Sequence, residues 1–164
     1  TAEVNWPCTR NSQSFDDQFP DVPNALDYTT PRLRTELIKK GFLRDETHAS
    51  FRKSSVVGLD YVWTEAACHL IRERKPHLML VHLLNNDATH HRRGAQSQAG
   101  YTANAYADMC VSRIINAIND AGMRENTTIF LVADHGFTLT AKAIRPNVLL
   151  RKAGLLTVEG FLQK

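Results

Sequence analysis

Apolar residues recur at helical spacing in four stretches of this chain and crowd into short runs in two others. In "PRLRTELIKK" (31–40), Leu33 and Leu37 share one face, Pro31 suits the first helical position and Thr30 stands where an N-cap is wanted. Gly41, directly after two lysines, stops that helix. Over about residues 56–75, Val56, Leu59, Val62 or Trp63, Ala66, Leu70 and Ile71 keep the same period. Ser54 or Ser55 can cap this second helix, the basic "RERK" suits its negative end, and Pro76 closes it. A long amphipathic helix is predicted over about 100–121, with Ala107, Cys110 or Val111, Ile114 and Ile118 inside and Gly122 at its stop. "PNVLLRKAG" (146–154) predicts a short fourth, with Pro at its start and Gly at its end.

The two apolar runs behave differently. "HLMLVHLL" (77–84) is too short for a separate helix and apolar nearly throughout, as a strand covered on both faces would be. "TTIFLVADHG" (127–136) predicts a second strand from its β-branched and aromatic residues. Residues 85–99 read as the loop between the first strand and the long helix. Strand, helix and strand with a crossover of this length make a right-handed βαβ unit in a parallel sheet. Residues 5–31 hold four of the six prolines, with Asn, Asp and Ser among them. They predict an irregular surface segment anchored by Trp6, Phe15 and Phe19. The fold class expected is α/β.

Composition narrows the picture only a little. The chain has 164 residues, 43% hydrophobic and 23% charged, within the ordinary range for one globular domain. No apolar run approaches the roughly 20 residues that cross a bilayer. The net charge of +3 is small and its basic pairs are scattered, so no nucleic-acid-binding face is expected. Cys8, Cys68 and Cys110 are far apart and odd in number, which argues against a disulfide framework while leaving one bridge open. Cys68 and Cys110 fall inside helical patterns, where a buried thiol is the expected role. The opening "TAEVNWPCTR" lacks the charged start and apolar core of a secretory leader and has no initiator Met, as expected of a mature or internal piece.

The chemistry gathers where the two predicted strands end. Asp87 and His91 follow the first, and Asp134 and His135 the second. Parallel sheets bind ligands outside the carboxyl ends of their strands, and a βαβ unit brings those ends to one edge. Carboxylate oxygen with imidazole nitrogen is a zinc-type donor set, with Mn²⁺ and Fe²⁺ as competitors. Each motif alone has a plainer meaning. Asp87 could close an Asx-turn, His90 or His91 could be merely solvated, and Asp134-His135-Gly136 could be a polar strand end. Taken together at adjacent strand ends, they favour metal. His82, mid-strand, is expected to be a packed histidine with a satisfied hydrogen bond. His48, His69 and His77 have no acidic neighbour at useful spacing and read as structural or exposed. Arg92 and Arg93, beside a metal, could draw in an anionic substrate.

In this order, "VNWPCT" (4–9), "NNDATHHRRGAQS" (85–97) and "VADHGF" (132–137) resemble the type I phosphodiesterase/nucleotide pyrophosphatase family of the alkaline phosphatase superfamily. The Asp-Xaa-Xaa-Xaa-His-Xaa-Xaa-Gly run is similar to that family's metal loop, and "RPNVLLRKAGLL" (145–156) adds to the likeness. The resemblance extends over about residues 1–157. It implies an alkaline phosphatase-like α/β/α sandwich with a parallel sheet, incomplete in this chain. Residues 1–164 would then be part of a single catalytic domain, an irregular surface segment at 1–31 and an α/β core portion at 32–164. It further implies a hydrolase with two divalent ions, zinc above all, acting on phosphodiester or nucleotide pyrophosphate bonds of a small-molecule substrate. Asp87 and His91 would hold one ion, and Asp134 and His135 the other. The Thr or Ser nucleophile is expected upstream of Thr1, so no catalytic nucleophile is expected in this chain, and the chain alone is expected to be inactive. Asn86 and Ala95 stand where the family usually has prolines.

Two other classes remain open on the residues alone: a non-catalytic metal-binding or structural piece, and a sulfatase or phosphomutase relative. The latter would share "ADHG" but not the Asp87 pattern. Members of the phosphodiesterase family often act outside the cytoplasm, so the resemblance implies an extracytoplasmic or secreted location.

Overall fold

Three short strands lie side by side in one parallel sheet, ordered β2–β1–β3, where β1 is Ala2–Val4, β2 Asp17–Phe19 and β3 Met79–Val81. Val4 is in register with Phe19 on one side and with Val81 on the other. The structure is a computed structural model, and it describes residues 1–21, 24–44, 51, 53–139 and 142–157. Around the sheet are α1 (Ala25–Tyr28), α2 (Pro31–Lys39), α3 (Val56–Arg74), α4 (Asn85–Arg93), α5 (Gln98–Asp120) and α6 (Pro146–Lys152). The protein is thus α/β, as its patterning predicts.

The predicted helices form within two residues of their expected ends, because their start and stop signals are local. Ser55 caps α3 by accepting the Gly58 N–H at 3.1 Å, and Ser97 caps α5 by accepting that of Gly100 at 3.0 Å. Thr30 behaves otherwise. Its hydroxyl accepts from the Gln18 backbone at 2.9 Å and ties the start of α2 to β2 instead of capping its own helix.

Leu33 and Leu37 of α2 and Trp63, Ala66, Ala67 and Leu70 of α3 are buried with Val4 and Phe19 in one core. Each large side chain there contributes about 1.5–3 kcal/mol through removal from water. A smaller cluster of Cys68, Ile71, Ala117 and Ile118 joins α3 to α5. Cys8, Cys68 and Cys110 are free thiols, and burial pushes Cys68 up to about 11.

Several expectations need correcting. The segment 1–31 is not an irregular surface run: it supplies two of the three strands, and Ala2, Val4, Phe19, Ala25 and Leu26 lie in the core. Strands of three residues are too short to show a period of two, and the prolines around them dominate the pattern. β3 is half-buried rather than covered on both faces, and among the described residues it is an edge strand paired only with β1. Residues 85–93 are helix, not loop.

The largest departure is 127–136, which pairs with no strand among the described residues. Phe130, Leu131 and Val132 are 83%, 77% and 75% exposed. β-propensity expresses fitness for a pleated, covered surface, while a strand needs a neighbour's free edge and an apolar layer over it. Among the described residues, 127–136 pairs with neither outer edge of the sheet and has no apolar layer over Phe130, Leu131 and Val132. An exposed apolar segment of this kind templates association between chains. Leu131→Lys is therefore expected to lower concentration-dependent self-association in analytical ultracentrifugation without changing the helical circular dichroism.

Candidate metal centre

The first half of the site is built by α4. Gly94, with φ of 84°, ends it. Its start is fixed by Asp60, a buried residue in the second turn of α3, whose two carboxylate oxygens accept the N–H groups of Leu84 and Asn85, each at 2.9 Å. Those are two of the four donors that a helix leaves unpaired at its N-terminus. Burial raises Asp60 above the usual carboxylate range, and the two N–H groups oppose that rise. On α4, Asp87 lies in the first turn and His91 one turn later, so a four-residue spacing places both on one face. The Asx-turn alternative for Asp87 is thereby set aside.

The second half arrives from the end of the apolar run 127–133. The His135 Nε2 stands 3.4 Å from Asp87 Oδ1, and the His91 Nε2 stands 3.2 Å from that same oxygen. The donor atoms of Asp87, His91 and His135 all lie within 4.8 Å of one another. Asp134 is not a member of this trio. Its carboxylate is 87% exposed, accepts the backbone N–H of His135 at 3.0 Å and lies 3.7 Å from His135 Nε2. Both carboxylates thus border one imidazole nitrogen. The two pairs read from the sequence are not separate, because His135 has turned toward Asp87.

The donor set suits a divalent ion of zinc type: one carboxylate, two imidazoles and no thiolate. Ligand atoms about 2.1 Å from a tetrahedral ion are about 3.4 Å from each other. The two contacts of Asp87 Oδ1 match that edge. The trio is exposed or half-buried, so a substrate can reach it.

The remaining candidates fall elsewhere. His90 places its Nε2 3.4 Å from the Gly100 carbonyl and is not one of the trio, whose second member is His91. The His82 Nδ1 is 3.3 Å from the Asn5 amide, the satisfied partner expected of it. His69 does have acidic company: its Nε2 is 2.6 Å from Glu36 Oε2, brought from 33 residues away. His77 is exposed, and His48 lies outside the described residues. Arg92 and Arg93 are about 100–160° around α4 from Asp87 and His91 by helical phase. They border a shallow cavity of about 290 Å³ with Val56, Val57 and Thr89. They therefore act on the trio only through their long-range field.

Two residues of the site were not read from the sequence. Asp60 is the first, although it lies four after Val56 and three before Trp63, on the buried face of a helix, where a lone acid signals a buried acceptor. Phe137 is the second, an aromatic next to Asp134-His135-Gly136. A family model described as type I phosphodiesterase / nucleotide pyrophosphatase matches residues 1–160. No curated protein and no solved structure matches the chain.

Proposed function

The chain belongs to the type I phosphodiesterase / nucleotide pyrophosphatase family, and on that premise we propose that it supplies part of a two-metal centre hydrolysing phosphodiester or nucleotide pyrophosphate bonds of a small-molecule substrate. The observation that carries this is the convergence of Asp87, His91 and His135 within 4.8 Å, from two elements some 40 residues apart, with Asp134 at the rim. Asp87 and His91 would hold one divalent ion, and Asp134 would hold the second together with His135, whose Nε2 borders both carboxylates. The ions, zinc by donor chemistry, supply charge that activates a hydroxyl nucleophile and neutralises the phosphoryl oxygens.

The chain's own residues do the rest. Asp60 fixes the start of α4 and so sets the height of Asp87 over the sheet. The open side of the trio admits an anionic phosphoryl group, whose approach the field of Arg92 and Arg93 assists. No threonine of the Pro-rich segment serves as the nucleophile. Thr9 and Thr29 donate their hydroxyls to the carbonyls of Trp6 and Ala25, and Thr30 accepts from Gln18. The attacking Thr or Ser hydroxyl belongs to a part of the catalytic domain outside residues 1–164. The phosphoryl group passes to that hydroxyl as the alcohol or nucleotide leaves, and water then frees it as phosphate monoester.

The test uses the full-length protein with bis(4-nitrophenyl) phosphate. Hydrolysis is expected to stop on treatment with a chelator and to return with added Zn²⁺, and Asp134→Asn is expected to remove it. Undiminished turnover after exhaustive chelation, or in Asp134→Asn, would refute the proposal.

A further inference from the structure

From residue 128 to residue 139 every described side chain but one is exposed; the exception is Phe137. Its ring is the point at which this segment docks on α4. The centroid lies 4.9 Å from that of His91, 5.0 Å from His90 and 5.1 Å from His135. The interplanar angles are 83°, 83° and 67°, so each imidazole meets the phenyl ring edge to face. His91 and His135 themselves stand 6.1 Å apart at 62°. Two residues further on, Leu139 lies beside Gly94, where a Cβ would come within 3.7 Å of its Cδ2.

These contacts follow one line. His135 meets α4 at Asp87, Phe137 meets it at His90 and His91, and Leu139 meets it at Gly94. Seven residues of helix advance about 10 Å, and four extended residues about 13 Å, so the segment lies along the helix rather than crossing it. Asp87 alone cannot hold His135 in place, since a carboxylate–imidazole contact between half-exposed groups is worth little in water. Contacts between ring edges and faces add to burial, and three share one ring here.

We propose that Phe137 is a positioning residue for the metal ligands: a clasp that locks the ring planes of His91 and His135 so that both Nε2 atoms point at Asp87. This rests on the two-metal reading in which His91 and His135 are ligands. Imidazole can rotate about its Cβ–Cγ bond, and a nitrogen turned away binds nothing. The phenyl wall blocks that rotation for two ligands at once. It also keeps water from one side of the cluster, as the apolar shell of a metal site does. Phe137 touches the ligands and not the ion, so its loss acts on affinity through imidazole orientation.

The experiment measures Zn²⁺ affinity of the full-length protein by competition with a chromophoric chelator. It also records the visible spectrum of the Co²⁺ form and the imidazole proton resonances of the metal-free form. Phe137→Leu is expected to lower Zn²⁺ affinity about 10–100-fold, the usual range for losing an outer partner of a metal ligand. The Co²⁺ bands should shift, ring-current displacement of the His91 and His135 protons should vanish, and the unfolding midpoint should stay close to that of the wild type. Phe137→Tyr, which keeps the ring, should restore affinity. Equal Zn²⁺ affinity in the wild type and Phe137→Leu would overturn the clasp while leaving the metal site standing. A wild-type protein that binds no Zn²⁺ would remove the site, and the clasp with it.

Discussion

Replacing Asp87 with alanine is expected to lower Zn²⁺ affinity by more than about 100-fold and to abolish phosphodiester hydrolysis by the full-length protein. Loss of an outer partner alone costs 10–100-fold, and Asp87 contributes a ligand atom itself. Its Oδ1 is the contact shared by His91 and His135, so its removal leaves the two imidazoles with no carboxylate between them. Folding should be affected far less. Asp87 lies half-exposed in the first turn of α4, where a carboxylate is worth about 0.3–1 kcal/mol against the helix dipole. The two effects are therefore separable: isothermal titration with Zn²⁺ reports the first and thermal unfolding of the metal-free protein the second. Retained Zn²⁺ affinity in Asp87→Ala would remove the trio as a ligand set.

The second large effect is on stability against pH, and it belongs to Glu3. This residue is fully buried in the central strand, with Oε2 accepting from the Trp6 N–H at 3.1 Å and Oε1 without a partner. Burial pushes its carboxyl from 4.5 up to about 7, against the smaller opposing pulls of the Trp6 N–H and the Thr9 hydroxyl. The folded form thus holds a proton that the unfolded chain has released between those values. Where the folded state binds more protons, stability falls as pH rises. The stabilisation is complete below about pH 4.5 and is lost progressively up to about pH 7, at a total of about 3 kcal/mol. Glu3→Gln keeps an acceptor for Trp6 and carries no titrating group. Urea unfolding from pH 4.5 to 7.5 is expected to show a decline in the wild type that is flattened in Glu3→Gln. Parallel curves for the two proteins would show that Glu3 ionises normally despite its burial.

Much of the helical framework and every residue of the candidate trio were legible before any coordinates. Pro31, Ser55, Gly122 and Gly154 mark helix ends by chemistry acting within one turn, and the helices start or stop within two residues of them. The pair Asp87 and His91 was visible as a four-residue spacing after an apolar strand, although the segment carrying it is helix. That difference traces to Asp60. An isolated nine-residue helix with little apolar content is marginal in water, and a buried carboxylate 25 residues upstream, satisfying its first N–H groups, cannot be read from residues 85–93.

By itself, then, the amino-acid sequence determined the α/β class, the boundaries of four helices, the acid–imidazole motifs and, through their order, the family. Tertiary structure alone decided that Ala2–Val4 and Asp17–Phe19 are strands while the more strand-like 127–136 is unpaired. It also decided that His135 turns toward Asp87 with Phe137 packed between the imidazoles. The division has one physical cause. Caps and helical periods are short-range and written into neighbouring residues, whereas a sheet ladder, a buried acceptor and a ligand cluster each need a partner that only folding brings near.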